Sequence, residues 1–301
     1  MATLTATRST WPKGAVISGV ILVAPAALTL LAINAIPAWL FMWALAFAVY
    51  AGFKLFTFLR SDDAREATWE RQAIYLLLWP GMDAEGFFAA NRSVPSPELS
   101  EIPLAVAKTL FGITLIGAAK RFAHDGVLLP GWLMLTGVAF SLHFGLMHLL
   151  SILWRHCGLN TPPIMRNPLR AKSLSEFWGR RWNLAFRDWV HTFVFLPLTA
   201  RFGAAVGILG VFVFSGFIHD FVISTAAGGG YGLPMLYFLI QAAAFFFERS
   251  RMGKRLGLNK PIPGWLFTVT FVVAPAGLLF HPQFLETVVV PMLRATPLPL
   301  L

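Results

Sequence analysis

In a mostly apolar chain few residues are able to do chemistry, and the first candidates are His219 and Asp220 in the run FGAAVGILGVFVFSGFIHDFVIS. Ser215 lies four residues before His219, one helical turn away and on the same face. Gly216 lets another backbone or a ligand approach closely. An imidazole in such a run is suited to general-base work, taking a proton from a hydroxyl group near neutral pH. The plain alternative is a histidine that bonds a neighbouring helix for packing, and the adjacent Asp220 weighs against it. A proton relay through His219 and Asp220 in a transporter is a third reading of the same pair.

The remaining candidates are weaker. His143 and His148 are five apart, about 140° around a helix, and do not share a face. There is no HExxH, no cysteine pair and no carboxylate at ligand spacing, so no metal site is expected. Cys157 is the single cysteine; it excludes an internal disulfide and reads as a packing residue rather than a nucleophile. His124, His156, His191 and His281 read mostly as interfacial residues. GxSxG, a phosphate-binding loop and a dinucleotide fingerprint are all missing. Gly228-Gly229-Gly230-Tyr231-Gly232 reads as a tight turn between two spans.

The other informative stretch is 161–198, TPPIMRNPLRAKSLSEFWGRRWNLAFRDWVHTFVFLPL. Ser173 with Glu176 three residues later fits a capping box at a helix start, with Ser175 as the alternative cap. Beyond it Arg180, Arg181 and Arg187 mix with Trp178, Trp182 and Trp189. An amphipathic interfacial helix with snorkelling arginines accounts for that mixture. It does not account for Asn183, a polar residue set among bulky aromatics.

The elements that must position these residues are membrane helices. The chain is 57% hydrophobic and 13% charged, with a mean hydropathy of +0.67; a soluble domain is nearer about a quarter charged. Apolar runs of spanning length are placed near 14–34, 36–59, 103–121, 128–154, 202–225, 231–248 and 262–281. The first is read as a retained helix rather than a cleaved signal peptide. Residues 73–90 and 189–199 are apolar but broken or short, and read as interfacial or re-entrant pieces, tolerated at membrane depth only inside protein or beside a water-filled cavity. With the N-terminus in the cytoplasm, the inside segments 1–13, 60–102, 155–201 and 249–261, with Lys54, hold about twenty Lys and Arg; the outside ones hold about three. The net charge of +10 then needs no nucleic acid to explain it. No internal repeat is evident. The expected fold is all-α: residues 1–301 form one polytopic helical bundle of seven to eight spans with re-entrant pieces, in a membrane whose composition suggests the bacterial cytoplasmic one.

SLSEFWGRRWN followed by SGFIHD resembles the wax-synthase branch of the membrane-bound O-acyltransferases. IYLLLWPGMD, PPIMRNPLRAKSL, Gln241 and Glu248, and the tail FHPQFLETVVVPML are similar to that branch as well, so the resemblance covers roughly 70–295. Asp220 departs from it, since plant relatives usually have Glu there.

The resemblance implies transfer of an acyl group from acyl-CoA, as co-substrate, to a long-chain alcohol, with no other cofactor and no metal. His219 is then the general base and Asn183 the second catalytic residue, with no covalent acyl-enzyme. Arg180 and Arg181 would pair with the phosphates of CoA. Trp178, Trp182, Ser215, Asp220 and Gln241 complete the expected substrate-binding set, and membrane lipid is the surrounding partner. A rival within the same chemistry is an acetyl or short-acyl transferase acting on a terpenoid, a sterol or another lipophilic alcohol.

Overall fold

In a bilayer no water satisfies backbone N–H and C=O groups, so apolar runs close their hydrogen bonds internally as helices. The computed structural model describes residues 13–89 and 94–297. Residues 1–12, which begin the expected cytoplasmic N-terminus, and Ala90 lie outside the described residues. The principal helices are α1 (Lys13–Leu30), α2 (Ala38–Arg60), α3 (Glu101–Arg121), α4 (Leu128–His156), α5 (184–202), α6 (Ala204–Ala227), α7 (Leu233–Arg249), α8 (Pro261–Leu279) and α9 (282–295). No strand occurs among the described residues. α2, α3, α4, α6 and α8 are long and apolar enough to cross a membrane. α1 and α7, with 18 and 17 residues, occupy the positions of the other two expected spans. The protein is an all-α integral membrane protein.

Small residues set how closely the helices pack. Gly137, Ser141 and Gly145 repeat every fourth residue on α4 and face α3, where a side chain on Gly112 would run into the backbone of Ser141 and Gly137. This is the small-xxx-small mode of helix association in lipid. The same pair is tied at one end by a charged cluster. Glu101 accepts from Arg155 at 2.5 and 3.1 Å and lies 2.9 Å from His148 Nε2. His143 joins no such cluster, as expected from its different face.

The segment 174–202 dips into the bundle and returns. Its entry is held at the C-terminal end of α7, where the Glu248 carboxylate accepts from the Leu174 amide at 2.5 Å and the Ser175 hydroxyl at 3.0 Å. Deeper along α7, Trp178 Nε1 donates to Gln241 Oε1 at 3.2 Å. Deeper still, Phe238 of α7 packs on His219 of α6 with ring centroids 4.7 Å apart, and Phe186 at the start of α5 meets the same imidazole at 6.4 Å. α5 then runs back antiparallel to α6: Trp189 stacks on Phe214, Val194 and Leu198 cover Gly210, and Phe195 and Thr199 cover Gly207. Gly203, at φ 86°, makes the turn between the two helices. Residues 189–199 are thus part of α5, which packs within the bundle in a longer inserted segment that begins at Leu174.

Its two ends emerge on one side. Trp265 Nε1 donates to Leu169 O at 2.8 Å, so the 249–261 loop lies with 169–176, as the loop charges require. The C-terminal helix lies at the opposite end, where Arg294 donates to Ala123 O at 2.8 Å in the α3–α4 turn. Two expectations are corrected. Lys54, counted with the loop charges, is 2% exposed within α2. His281, read as interfacial, is 1% exposed and caps α9 by accepting the Phe284 amide proton at Nδ1.

Residues 73–89 are partly enclosed by protein, with Leu77 and Leu78 exposed. A π-helical turn, Ile74–Leu78, leads into an extended stretch and the short helix Ala84–Phe88. Tyr75, Trp79, Phe87 and Phe88 of this piece are buried. Asp83 caps the short helix by accepting from Gly86 N at 2.8 Å.

Candidate active site

The FWGRRWN motif lies between the entry of the inserted segment at Leu174 and the start of α5, and its entry is pinned. Ser173 Oγ accepts from Glu176 N at 3.0 Å, as the capping box requires, while Glu176 reaches back to the Lys172 amide at 2.8 Å, one residue earlier than in the standard box. Ser175, the alternative cap, is instead bonded to Glu248. Residues Phe177–Arg181 form a π-helical turn. Trp182 stacks on Phe177 at 5.5 Å and meets Phe144 of α4 edge-on at 6.0 Å. The chain then reverses at Asn183, which holds φ 39° and ψ 61°. Asparagine enters this left-handed region more readily than most residues because its short amide bonds locally. Here Asn183 Oδ1 accepts from Phe186 N at 3.3 Å and caps α5. Because the oxygen is the atom used by the cap, the amide nitrogen is left to donate elsewhere.

His219 is fixed from within its own helix. Its Nδ1 lies 2.7 Å from the carbonyl oxygen of Ser215, one turn back. A carbonyl only accepts, so Nδ1 carries the proton and Nε2 bears the free lone pair. Phe238 and Phe186 flank the ring. Gly216 makes this approach possible, since a methyl there would sit 2.7 Å from Met235 Sδ and 3.3 Å from Phe238 Cβ. His219 as a whole is half-buried. Asn183 and His219 are thus joined through Phe186, which follows the asparagine by one turn and touches the imidazole.

The other expected site residues divide by what they hold. The Ser215 hydroxyl donates to Val211 O at 2.8 Å, so the carbonyl rather than the hydroxyl serves His219. Asp220 accepts from Ser224 Oγ at 2.6 Å and from Gly232 N at 2.8 Å, which spends its carboxylate on the α6–α7 turn. That geometry argues against the His219–Asp220 proton relay. Gln241 is fully buried and bridges Trp178 to Phe271 O, the latter at 2.6 Å. Arg181 is taken up by Glu176 at 2.6 Å and by the carbonyls of Arg166 and Asn167. Arg180 is exposed on the π-helical turn. Sequence reasoning missed Phe186 and Phe238, since one phenylalanine among 28 carries no signal of its own. It also missed the burial of Lys54, for which an isolated lysine inside an apolar run was the available signal.

The chain is similar in sequence to known acyltransferases. Residues 161–241, which contain both Asn183 and His219, match the Membrane bound O-acyl transferase family. A protein named probable long-chain-alcohol O-fatty-acyltransferase 7 of Arabidopsis thaliana is 31% identical over 43% of this chain and 42% of its own length. The long-chain-alcohol O-fatty-acyltransferase of Simmondsia chinensis is 29% identical over 65% of this chain and 59% of its own length. An acyl-CoA–sterol O-acyltransferase 1 of Arabidopsis thaliana is 28% identical over 62% and 57%. The chain thus spans about half the length of these relatives. With the motif, the helical architecture and the relatives in agreement, the segment that carries FWGRRWN and SGFIHD is similar to the membrane-bound O-acyltransferase family, in its wax-synthase-like branch.

Proposed function

We propose that the protein is an O-acyltransferase that moves a fatty acyl group from acyl-CoA to the hydroxyl of a long-chain alcohol, forming a wax ester. The observation that carries this is the Nδ1–H···O bond from His219 to Ser215, which leaves the Nε2 lone pair free to act as a base. In the reaction Nε2 takes the hydroxyl proton as the alcohol oxygen attacks the thioester carbon. Negative charge gathers on the carbonyl oxygen, and in this scheme the amide N–H of Asn183 donates to it. The tetrahedral species collapses with loss of the C–S bond, and the leaving thiolate receives the proton from the imidazolium. No acyl-enzyme forms. Ser215, whose hydroxyl is spent on Val211, is not a nucleophile in this scheme.

Support comes from the named activities of the relatives and from the match that covers both residues. The host membrane proposed is a bacterial cytoplasmic membrane, a reading that rests on composition and loop charge alone. A sterol acceptor is the second reading, favoured by the sterol acyltransferase relative. The test uses membranes carrying the protein, supplied with palmitoyl-CoA and either hexadecanol or a sterol, with products separated by chromatography. The proposal expects palmityl palmitate in excess over sterol ester. Free thiol release without any ester would overturn it.

A further inference from the structure

We propose that a pocket on the far side of α5 from His219 holds the phosphate groups of the acyl donor, with Arg166 and Arg187, rather than Arg180 and Arg181, as its cationic ligands. This rests on the acyl-transfer reading above. The pocket opens to solvent between the 79–83 turn, the 160–166 loop and one face of α5, with about 440 Å³ of free space, open solvent included. Leu184, Ala185, Arg187 and Asp188 line it. Phe186 and Trp189 point the other way, onto His219 and Phe214, as the helical repeat dictates.

Two arginines line this pocket, and neither has its hydrogen-bonding groups fully taken up. Lys54 sits behind its wall, with Nζ bonded to Trp79 O at 2.6 Å and to Gly81 O, and 3.6 Å from the centre of the Tyr75 ring. No carboxylate pairs with it among the described residues. Arg187 gives Nη1 to Asp188 at 2.8 Å, but its Nε is buried without an acceptor. Arg166 is exposed, and no side chain pairs with its guanidinium among the described residues. The two carboxylates that face the pocket are already engaged: Asp83 caps the Ala84–Phe88 helix and Asp188 pairs with Arg187. Arg187 thus keeps a buried N–H without an acceptor and Arg166 a guanidinium open to the pocket, and an arginine fork is matched to phosphate oxygens.

The donor's diphosphate has that chemistry and arrives from water. From the pocket its pantetheine arm rounds the N-terminus of α5, at Asn183, to reach His219. A helix is about 10–12 Å across with its side chains, which such an arm spans. The same path places Asn183 beside the thioester carbonyl.

The test measures affinity of the purified full chain for coenzyme A and for pantetheine, which lacks the diphosphate. Arg166→Gln and Arg187→Gln should each weaken coenzyme A binding by about tenfold or more, the loss of one charge-assisted contact. Pantetheine affinity should change less than twofold, and Arg180→Gln should change neither. Inorganic diphosphate should compete with coenzyme A, whereas adding phosphatidylglycerol to phosphatidylcholine nanodiscs should not. Arg187→Lys, which keeps the charge beside Asp188, controls for folding. Coenzyme A affinity within twofold of wild type in both Gln variants overturns the site. Competition by phosphatidylglycerol but not by inorganic diphosphate makes it a lipid headgroup site and overturns the donor assignment. Ester formation, followed in parallel, separates the two readings. A chain that binds coenzyme A through Arg166 and Arg187 yet forms no ester refutes acyl transfer and leaves the site standing. Ester formation with an unchanged donor KM in both Gln variants refutes the site alone.

Discussion

At the scale of single residues, the reactive form of His219 is set by one backbone carbonyl, and Asn183 is set by a cap that consumes its oxygen. His219→Ala should lower ester formation by about 10²–10⁴-fold, the usual cost of losing a general base, at matched protein levels. Asn183 needs two substitutions, because its side chain and its left-handed backbone are separate contributions. Asn183→Gly keeps the backbone free to hold φ 39° and costs the cap only about a few tenths of a kcal/mol. It should insert normally and lose most activity. Asn183→Ala adds a conformational penalty of about 1–2 kcal/mol and should also lower the yield of folded protein. Near-wild-type esterification by the glycine variant would remove Asn183 from the mechanism. The double variant His219→Ala/Asn183→Gly should be little slower than His219→Ala, since residues acting on one step are not additive.

At the scale of elements, the re-entrant limb is held by Gln241 and by the Glu176–Arg181 pair. Gln241→Leu leaves the Trp178 N–H and the Phe271 carbonyl without partners in the bundle, a loss of about 1–3 kcal/mol per unsatisfied group. The melting temperature in detergent should fall accordingly, and an unchanged value would mean the bridge contributes nothing. Burial by itself would raise the Glu176 carboxyl, but the Lys172 amide and the Arg181 guanidinium together hold it below its ordinary value. A depressed carboxyl stabilises the fold fully above its unfolded value, about 4.3, and the contribution is lost as pH falls through the folded one. Thermal stability measured from pH 7 to pH 3 should therefore drop less steeply for Glu176→Gln than for wild type. Equal acid slopes would show that the pair adds no pH-dependent stability.

At the scale of the whole molecule, parity of the helices distinguishes a re-entrant segment from a further crossing. If 174–202 enters and leaves on one side, then Gly203 lies on the same side as Arg170 and Arg255, and Tyr231 on the other. All four positions are exposed. In a Cys157→Ser background, single cysteines at 170, 203 and 255 should react with an impermeant maleimide from the same face, and a cysteine at 231 only from the opposite face. Labelling of position 203 together with 231 would mean that α5 crosses the membrane.

The sequence alone determined that this is a helical membrane protein, where its long apolar runs lie, and which two residues merit suspicion, because hydropathy, loop charge and a polar residue in an apolar run are local properties. FWGRRWN and SGFIHD were legible for the same reason. That Asn183 and His219 come within one side chain of each other was decided only by the tertiary structure. They are 36 residues apart, on different elements, and meet because Glu248 and Gln241 hold one limb at a set depth while Gly203, Gly207 and Gly210 let α5 lie against α6. Tertiary packing also decided which polar groups are spent. Ser215, Asp220, Gln241 and Arg181 look available in the sequence, but a hydrogen-bonding group in a dry interior must find a partner, and these found theirs inside the fold. Lys54 was decided the same way: its sequence position marks the end of a span, while its surroundings supply two carbonyls, an aromatic face and no carboxylate.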